Sequence, residues 1–334
     1  MDIAPWVWAV TIGVLVVGLT IDVFVIGRRP HEPSMRESTI AVVFFISMAL
    51  LFGLGVLLFS GTRYAGEFYA GWLTEYALSV DNLFIFIIIM SRFAVPRELQ
   101  QTVLLIGIML ALLFRGIFIG LGAAAIENFS WVFYLFGVFL IYTAIHLARQ
   151  GEMDDEDYKE NVLIRWAKRA VPLTDTFHGT KLTVMQAGKR LFTPMLIVMI
   201  AIGSTDILFA LDSIPAIYGL TQEPYLVFTA NVFALMGLRQ LYFLIGGLLT
   251  RLIYLSLGLA FILAFIGVKL VLEALHLNEL PFINGGEHVE WAPEIPIWLS
   301  LLVIIGTLVL TAALSLAKTA RDDRTAAKPP PGAA

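Results

Sequence analysis

The sequence predicts an all-α, polytopic transmembrane bundle of about nine helices, containing an inverted-topology repeat of two three-helix units. Three observations predict it. The 334 residues are 59% hydrophobic and 14% charged, where soluble domains carry roughly 25% charged residues. Their mean hydropathy of +0.85 exceeds what a water-soluble core can hide. The apolar residues fall into nine runs long enough to cross a bilayer, and two of these runs carry acids in matching places.

The runs are 6–26, 39–59, 71–91, 102–122, 130–149, 193–214, 226–247, 254–274 and 296–316. Crossing about 30 Å of hydrocarbon requires about 20 residues of helix. The first run has no Lys or Arg before it and no small-residue cleavage site, and Arg28 and Arg29 follow it. It reads as a retained span with its N-terminus outside, in the cell membrane. It pairs with the second run in an N-terminal unit, residues 1–62. Runs three to five make up repeat 1 (63–149), and runs six to eight make up repeat 2 (193–275). Between them lies a loop, 150–192, whose "EMDDEDYKEN" and "RWAKRA" read as a solvated amphipathic segment. The loop 276–295 holds Glu279, Glu287, Glu290, Glu294, His276 and His288 and no Lys or Arg, and reads as an acidic exterior loop. The last helix, 296–317, leads into a tail, 318–334, whose Pro, Ala and charged residues predict disorder.

Charge fixes the expected orientation. The loops 27–38, 92–101, 150–192 and 248–253 and the tail, with Arg149 at the tip of the fifth run, hold 18 of the 22 Lys and Arg. The opposite side holds Arg63 alone. The side rich in Lys and Arg is the cytosolic one, so the C-terminus is expected inside. There are no cysteines, which excludes disulfides, iron–sulfur clusters and thiolate metal sites. No phosphate-cradling G-x-x-x-x-G-K-[ST] run and no nucleophile motif is present. The chain is therefore read as not an enzyme, with no permanently bound cofactor and no nucleic-acid partner.

The repeat appears first in the acids. "LTEYALSVDNLF" (73–84) and "STDILFALDSIP" (204–215) superimpose at an offset of 131 residues. Thr74-Glu75 falls on Thr205-Asp206, and Asp81-Asn82 falls on Asp212-Ser213. Further on, "ALLFRG" matches "ALMGLRQ", aligning Arg115 with Arg239, and "FLIYTAIHL" matches "FILAFIGVKL" with one gap, aligning His146 with Lys269. The matched stretches are roughly 71–149 and 202–275. Three spans per unit make the second copy enter from the opposite side, which predicts a transporter with its site near the midplane where the halves meet.

An ionisable residue at bilayer depth is costly unless paired or wetted. Glu75, Asp81, Asp206 and Asp212 with Arg115 and Arg239 sum to −2 if all are ionised and all meet, which one divalent cation or two protons would neutralise. Acids six apart on an ideal helix lie about 120° off a common face and about 9 Å apart along the axis. Either one acid of each pair reaches the centre and the other lines an access route, or the helix unwinds locally. Asn82, Ser213, Ser79, Thr74 and Thr205 supply further oxygens, and such hard ligands favour Mg²⁺, Ca²⁺ or Mn²⁺. Arg115 and Arg239 read as charge-tuning partners of the acids. His146 reads as a polar helix end or a proton relay, Lys269 as the i,i+4 partner of Glu273, and Asn231 as a hydrogen-bonding residue or a ligand.

"EYALSVDN", "FALDSIPAI" and "ANVFALMGLRQLYFL" closely resemble the TerC/Alx family of integral membrane proteins, whose name comes from tellurium resistance, and the likeness covers about residues 5–317. The resemblance implies divalent metal handling, chiefly Mn²⁺ export from the cytosol, and kinship with lysine-exporter-like transporters. It places the family's intramembrane acids on Glu75, Asp81, Asp206 and Asp212. Two positions depart from the family pattern. A Glu three residues before the first Asp of the second motif is replaced by Gly203, and a Lys at the end of the first third-helix is replaced by His146. The expectation is a secondary transporter exporting Mn²⁺ as its substrate, driven by protons or by a partner. Its rivals are transport of Ca²⁺, a tellurium oxyanion or an amino acid, and a membrane partner that supports metal loading or assembly of secreted proteins.

Overall fold

The structure, a computed structural model, describes residues 3–28, 34–129, 131–150, 164–166, 169, 171–186, 189–245, 253–278, 280, 281, 283–289 and 291–326. The acidic segment 152–160 and residues Glu279 and Glu290 lie outside them.

Ten α-helices are described: α1 (Pro5–Arg28), α2 (Met35–Ser60), α3 (Thr62–Arg92), α4 (Arg97–Asn128), α5 (Val132–Gln150), α6 (Pro194–Tyr218), α7 (Pro224–Leu235), α8 (Leu238–Ile245), α9 (Leu255–His276) and α10 (Ile297–Ala326). Eight membrane-spanning candidates stand out by length and apolar content, α7 and α8 together counting as one, and α1 is apolar along its described part. Ser34 caps α2 in a reciprocal box with Glu37, which satisfies two of the amide groups a helix start leaves open. Pro194 and Pro224 sit at the starts of α6 and α7, where a missing N–H costs nothing.

Several boundaries differ from the hydropathy reading. α3 begins nine residues before the expected run. Its first turns carry Arg63 and Glu67, which lower local hydropathy, yet the two pair at 2.9 Å while Phe68 and Ala70 bury. α6 runs past the expected end at 214, through Pro215, to Tyr218. The last helix runs to Ala326, through part of the tail expected to be disordered; 327–334 lie outside the described residues. The 150–192 loop contains an antiparallel hairpin, β1 (Thr183–Gln186) and β2 (Lys189–Phe192), in the register Thr183 to Phe192.

The seventh span is broken. α7 stops at Leu235, Met236 is extended and Gly237 has φ +83°. A Cβ on Gly237 would lie 2.9 Å from Phe45 Cδ2 of α2, so glycine answers both the left-handed backbone and the close neighbour. Leu113, which stands two residues before Arg115 as Gly237 stands before Arg239, sits in unbroken helix. Gly237→Ala is expected to cost about 1–3 kcal/mol from strain and overpacking, read as a lower melting temperature in detergent.

The helices pack in a pattern that survives exchange of the two repeats. α3 packs along α7, and α6 packs along α4; α3 and α6 also meet, and α5 and α9 form the most extensive pair. α5 and α9 run antiparallel, with Tyr134 near the start of α5 donating to Asn278 just past the end of α9 (3.2 Å). At their crossing a Cβ on Gly137 would lie 2.8 Å from Gly267 O, and one on Gly267 would lie 2.9 Å from Gly137 O. Small residues let membrane helices approach this closely. Thr221, beyond the end of α6, donates to Glu67 near the start of α3 (2.7 Å), so the two acid-bearing helices are antiparallel as well.

Candidate functional site

α3 carries Glu75 and Asp81 inward, and α6 carries Asp206 and Asp212. Glu75 is completely buried. It accepts from Arg115 Nη1 of α4 and from Asn231 Nδ2 of α7 at 3.1 Å. Asn82 O lies 3.3 Å from Arg115 Nη2 when its amide N donates to Leu78 O. Four helices therefore meet at one point. α3 supplies the carboxylate and an amide, α4 the guanidinium and α7 a second amide, while α6 brings Asp206, buried and within electrostatic reach of Arg115. Ser213 Oγ of α6 approaches the Glu75 carboxylate without completing a hydrogen bond.

The cluster is not closed on itself. Glu75 Oε1, Asp206 Oδ2, the hydroxyls of Thr74, Ser79 and Ser213, and Arg115 Nε are buried without a hydrogen-bond partner. Buried polar atoms in native proteins nearly always have partners, and leaving one unmatched costs about 1–3 kcal/mol. Five of these six atoms are oxygens, on two carboxylates and three hydroxyls. Thr205 is committed elsewhere, donating to Ala201 O of its own helix at 2.7 Å.

The four acids do not gather at one point. Asp81 accepts from Ser256 of α9 at 3.3 Å, and Asp212 accepts from Thr143 of α5 at 3.3 Å, within reach of His146. Each of these aspartates on a first helix thus meets the third helix of the other repeat. Among the described residues no group of three or more carboxylates and histidines is arranged to hold a metal ion. The spacing of six residues, 120° off a common face, is resolved by separation rather than by unwinding: α3 and α6 are continuous through their acids. Arg239 is buried in the first turn of α8, past the Gly237 break. Gly203 lies on α6, where an added Cβ would meet Leu110 Cδ1 at an ordinary 3.6 Å.

Lys269 belongs to a different feature. At the end of the bundle where α6 finishes, a cavity of about 800 Å³ is lined by Arg63, Glu67, Glu223, Lys269 and Glu273 among others. Glu67, at its wall, is held by Arg63 Nε (2.9 Å) and Thr221 Oγ1 (2.7 Å). Tyr218 lines its inner side, five residues along α6 from Ser213.

Residues 60–323 match the model of the integral membrane protein TerC family. The chain belongs to the TerC family. The match takes in every helix of the TerC site and leaves α1 and nearly all of α2 outside. An uncharacterized membrane protein of Mycobacterium tuberculosis (strain ATCC 25618 / H37Rv) is 52% identical over 319 residues, 94% of this chain and 80% of its own. One of Myxococcus xanthus is 36% identical over 316 residues, 95% of this chain and 93% of its own. A protein of Escherichia coli (strain K12) described as "Putative membrane-bound redox modulator Alx" is 33% identical over 329 residues, 96% of this chain and 97% of its own. No solved structure gives a significant match. Thr143 and Ser256, the partners of the outer aspartates in this TerC protein, escaped the sequence reading. Their only signal was a hydroxyl in an apolar helix, which is commonplace in membrane bundles.

Proposed function

We propose that this protein is a secondary transporter that exports a divalent cation, Mn²⁺ being the substrate that suits it best. One observation carries the reading: two buried carboxylates from equivalent helices, Glu75 and Asp206, each present an oxygen with no hydrogen-bond partner, and the unpartnered Ser213 hydroxyl stands against Glu75. Such a set suits a hard divalent ion. Glu75 Oε1, Asp206 Oδ2 and the Ser213 hydroxyl would hold the substrate, with Asn82 and Asn231 keeping the carboxylate and guanidinium in place. Arg115 neutralises Glu75 when no ion is bound, and an arriving dication competes with it for the carboxylate. Asp81 and Asp212, in polar contacts off the centre, line the approaches. Exchange-symmetric packing and antiparallel equivalent helices support an inverted-topology repeat, and with it alternating access about the midplane. The N-terminus is outside and the C-terminus cytosolic, as the excess of Lys and Arg on one side requires. Energy comes from a gradient, with protons as the counter-ion. A redox effect of the kind named for Alx would follow from moving a redox-active ion, since the chain has no thiol.

Arg115 Nε, also without a partner, favours a second reading in which the substrate is an oxyanion. The two separate by charge: neutralising carboxylates stops cation transport, whereas neutralising Arg115 stops anion transport.

The test is Mn²⁺ flux into proteoliposomes of the purified protein, with and without a pH gradient, beside Asp81→Asn and Asp212→Asn. The expected result is flux in the parent protein, accelerated by the gradient and abolished in both variants. Absence of Mn²⁺ flux from folded, inserted protein would overturn transport of that ion by the chain alone, and direct the search to other substrates and to co-purifying proteins.

A further inference from the structure

The hairpin end of the bundle carries a surface that the ion site does not use. Among the described residues from Ile164 to Phe192, Arg165, Arg169, Lys181, Lys189 and Arg190 are exposed, against one acid, Asp175. Large apolar side chains stand out between them: Trp166 is 68% exposed, Leu182 43% and Met185 71%. A solvated loop has no reason to expose three such side chains amid its cations. A surface that rests at a headgroup layer does, because cations meet phosphates while apolar tips reach the acyl boundary.

The hairpin also holds a pocket. A cavity of about 410 Å³ is lined by His178, Lys181, Thr183, Val184, Met185 and Gln186, a volume typical of small-ligand sites. Arg190 Nη2 donates to Thr183 Oγ1 at 3.3 Å across the strands, which brings a second cation to the same wall. Met185 pairs with Arg190 in the ladder, so an apolar tip and a guanidinium lie side by side on one face.

The hairpin is tied to the membrane. β2 ends at Phe192 and α6 begins at Pro194. Thr193 between them donates through Oγ1 to Lys181 O (2.6 Å) and through its amide to Leu182 O (3.0 Å). Phe192 N donates to Pro172 O (2.9 Å), and Thr174 N donates to Phe192 O (2.8 Å). α6 is apolar from its first turn, so these bonds hold the pocket at the edge of the hydrocarbon layer, on the helix that carries Asp206 and Asp212.

We propose that the β1–β2 hairpin is a binding site for the phosphodiester headgroup of an anionic phospholipid, seated in the pocket between Lys181, Thr183 and Arg190 with Leu182 and Met185 at the acyl boundary. The site is independent of what the transport path carries.

The natural absence of cysteine makes the test direct. Met185→Cys in the full chain is labelled with an environment-sensitive fluorophore and reconstituted in bilayers of phosphatidylcholine alone or mixed with phosphatidylglycerol. The readout is quenching by acrylamide, which is uncharged and stays in water. Because an anionic surface attracts basic residues close to it, quenching is expected to fall about threefold in the mixed bilayer. The protection is lost at high salt and in the Lys181→Gln, Lys189→Gln, Arg190→Gln triple variant. A label at Glu294→Cys, at the other end of the bundle, is expected to read the same in both lipids. Equal quenching at position 185 in the two lipids would overturn the proposal, as would protection that survives in the triple variant.

Discussion

Asp206→Asn is expected to stop ion flux while leaving the protein folded. Asp206 Oδ2 has no hydrogen-bond partner, and Asn has nearly the same shape, so the exchange removes charge without breaking a bond at that atom. The expected loss is at least about 100-fold in initial rate, since even the outer partners of a metal ligand cost 10–100-fold when removed. Glu75→Gln, at the equivalent place in repeat 1, behaves differently. Glu75 is the carboxylate that pairs with the buried Arg115 guanidinium, and taking away one member of such a pair costs about 3–5 kcal/mol. This variant is therefore expected to lose both flux and thermal stability. Flux in proteoliposomes read beside melting in detergent separates the two. Full activity in a well-folded Asp206→Asn protein would remove Asp206 from the ion site.

Gly267→Val is expected to prevent the protein from accumulating in the membrane. A Cβ there would stand 2.9 Å from Gly137 O and 3.1 Å from Ile141 N, both backbone atoms of α5. A side-chain tip can turn aside, but helix backbone cannot, so α5 and α9 must separate along their contact. The cost exceeds about 3 kcal/mol, the upper end for ordinary overpacking, against a total stability of about 5–15 kcal/mol. Gly137→Val is expected to do the same from the other side, where Gly267 O would lie 2.8 Å away. Gly120→Val is the control, because nothing lies within 4 Å of a Cβ there. Equal yield and melting temperature for all three would contradict the close crossing.

Spans were legible because hydrocarbon thickness sets a length that composition must honour. α3 was underestimated because a hydropathy window sees Arg63 and Glu67 as two charges, while folding neutralises them against each other and lets the helix continue. The break at Gly237 was not legible because Gly107 and Gly203 occupy similar apolar runs and stay helical. What distinguishes Gly237 is its left-handed backbone, φ +83°, and not a close neighbour alone, since a Cβ on helical Gly107 would stand equally near Ile202 Cγ2 (2.9 Å). The hairpin had only a weak local signal, Thr183-Val184-Met185 before Ala187-Gly188 and Leu191-Phe192 after it, without the strict alternation of a strand, and the charged context of the loop obscured it. The acids were identified by register alone. Which of them meet was decided by neighbours in other helices: Asn231 and Arg115 for Glu75, Ser256 for Asp81 and Thr143 for Asp212.

The pairing of Glu75 with Arg115 bears on how the chain is made. The two are 40 residues apart within repeat 1, whereas the hydrogen bond from Asn231 spans 156 residues. As the polypeptide leaves the ribosome, the first acid of the site is cancelled by a base from the next helix to emerge, long before repeat 2 exists. The nascent first half can therefore settle in the lipid with that charge already answered, leaving Asp81 to wait for Ser256 of repeat 2. Asn231 then arrives as a late fastening that joins the newborn halves.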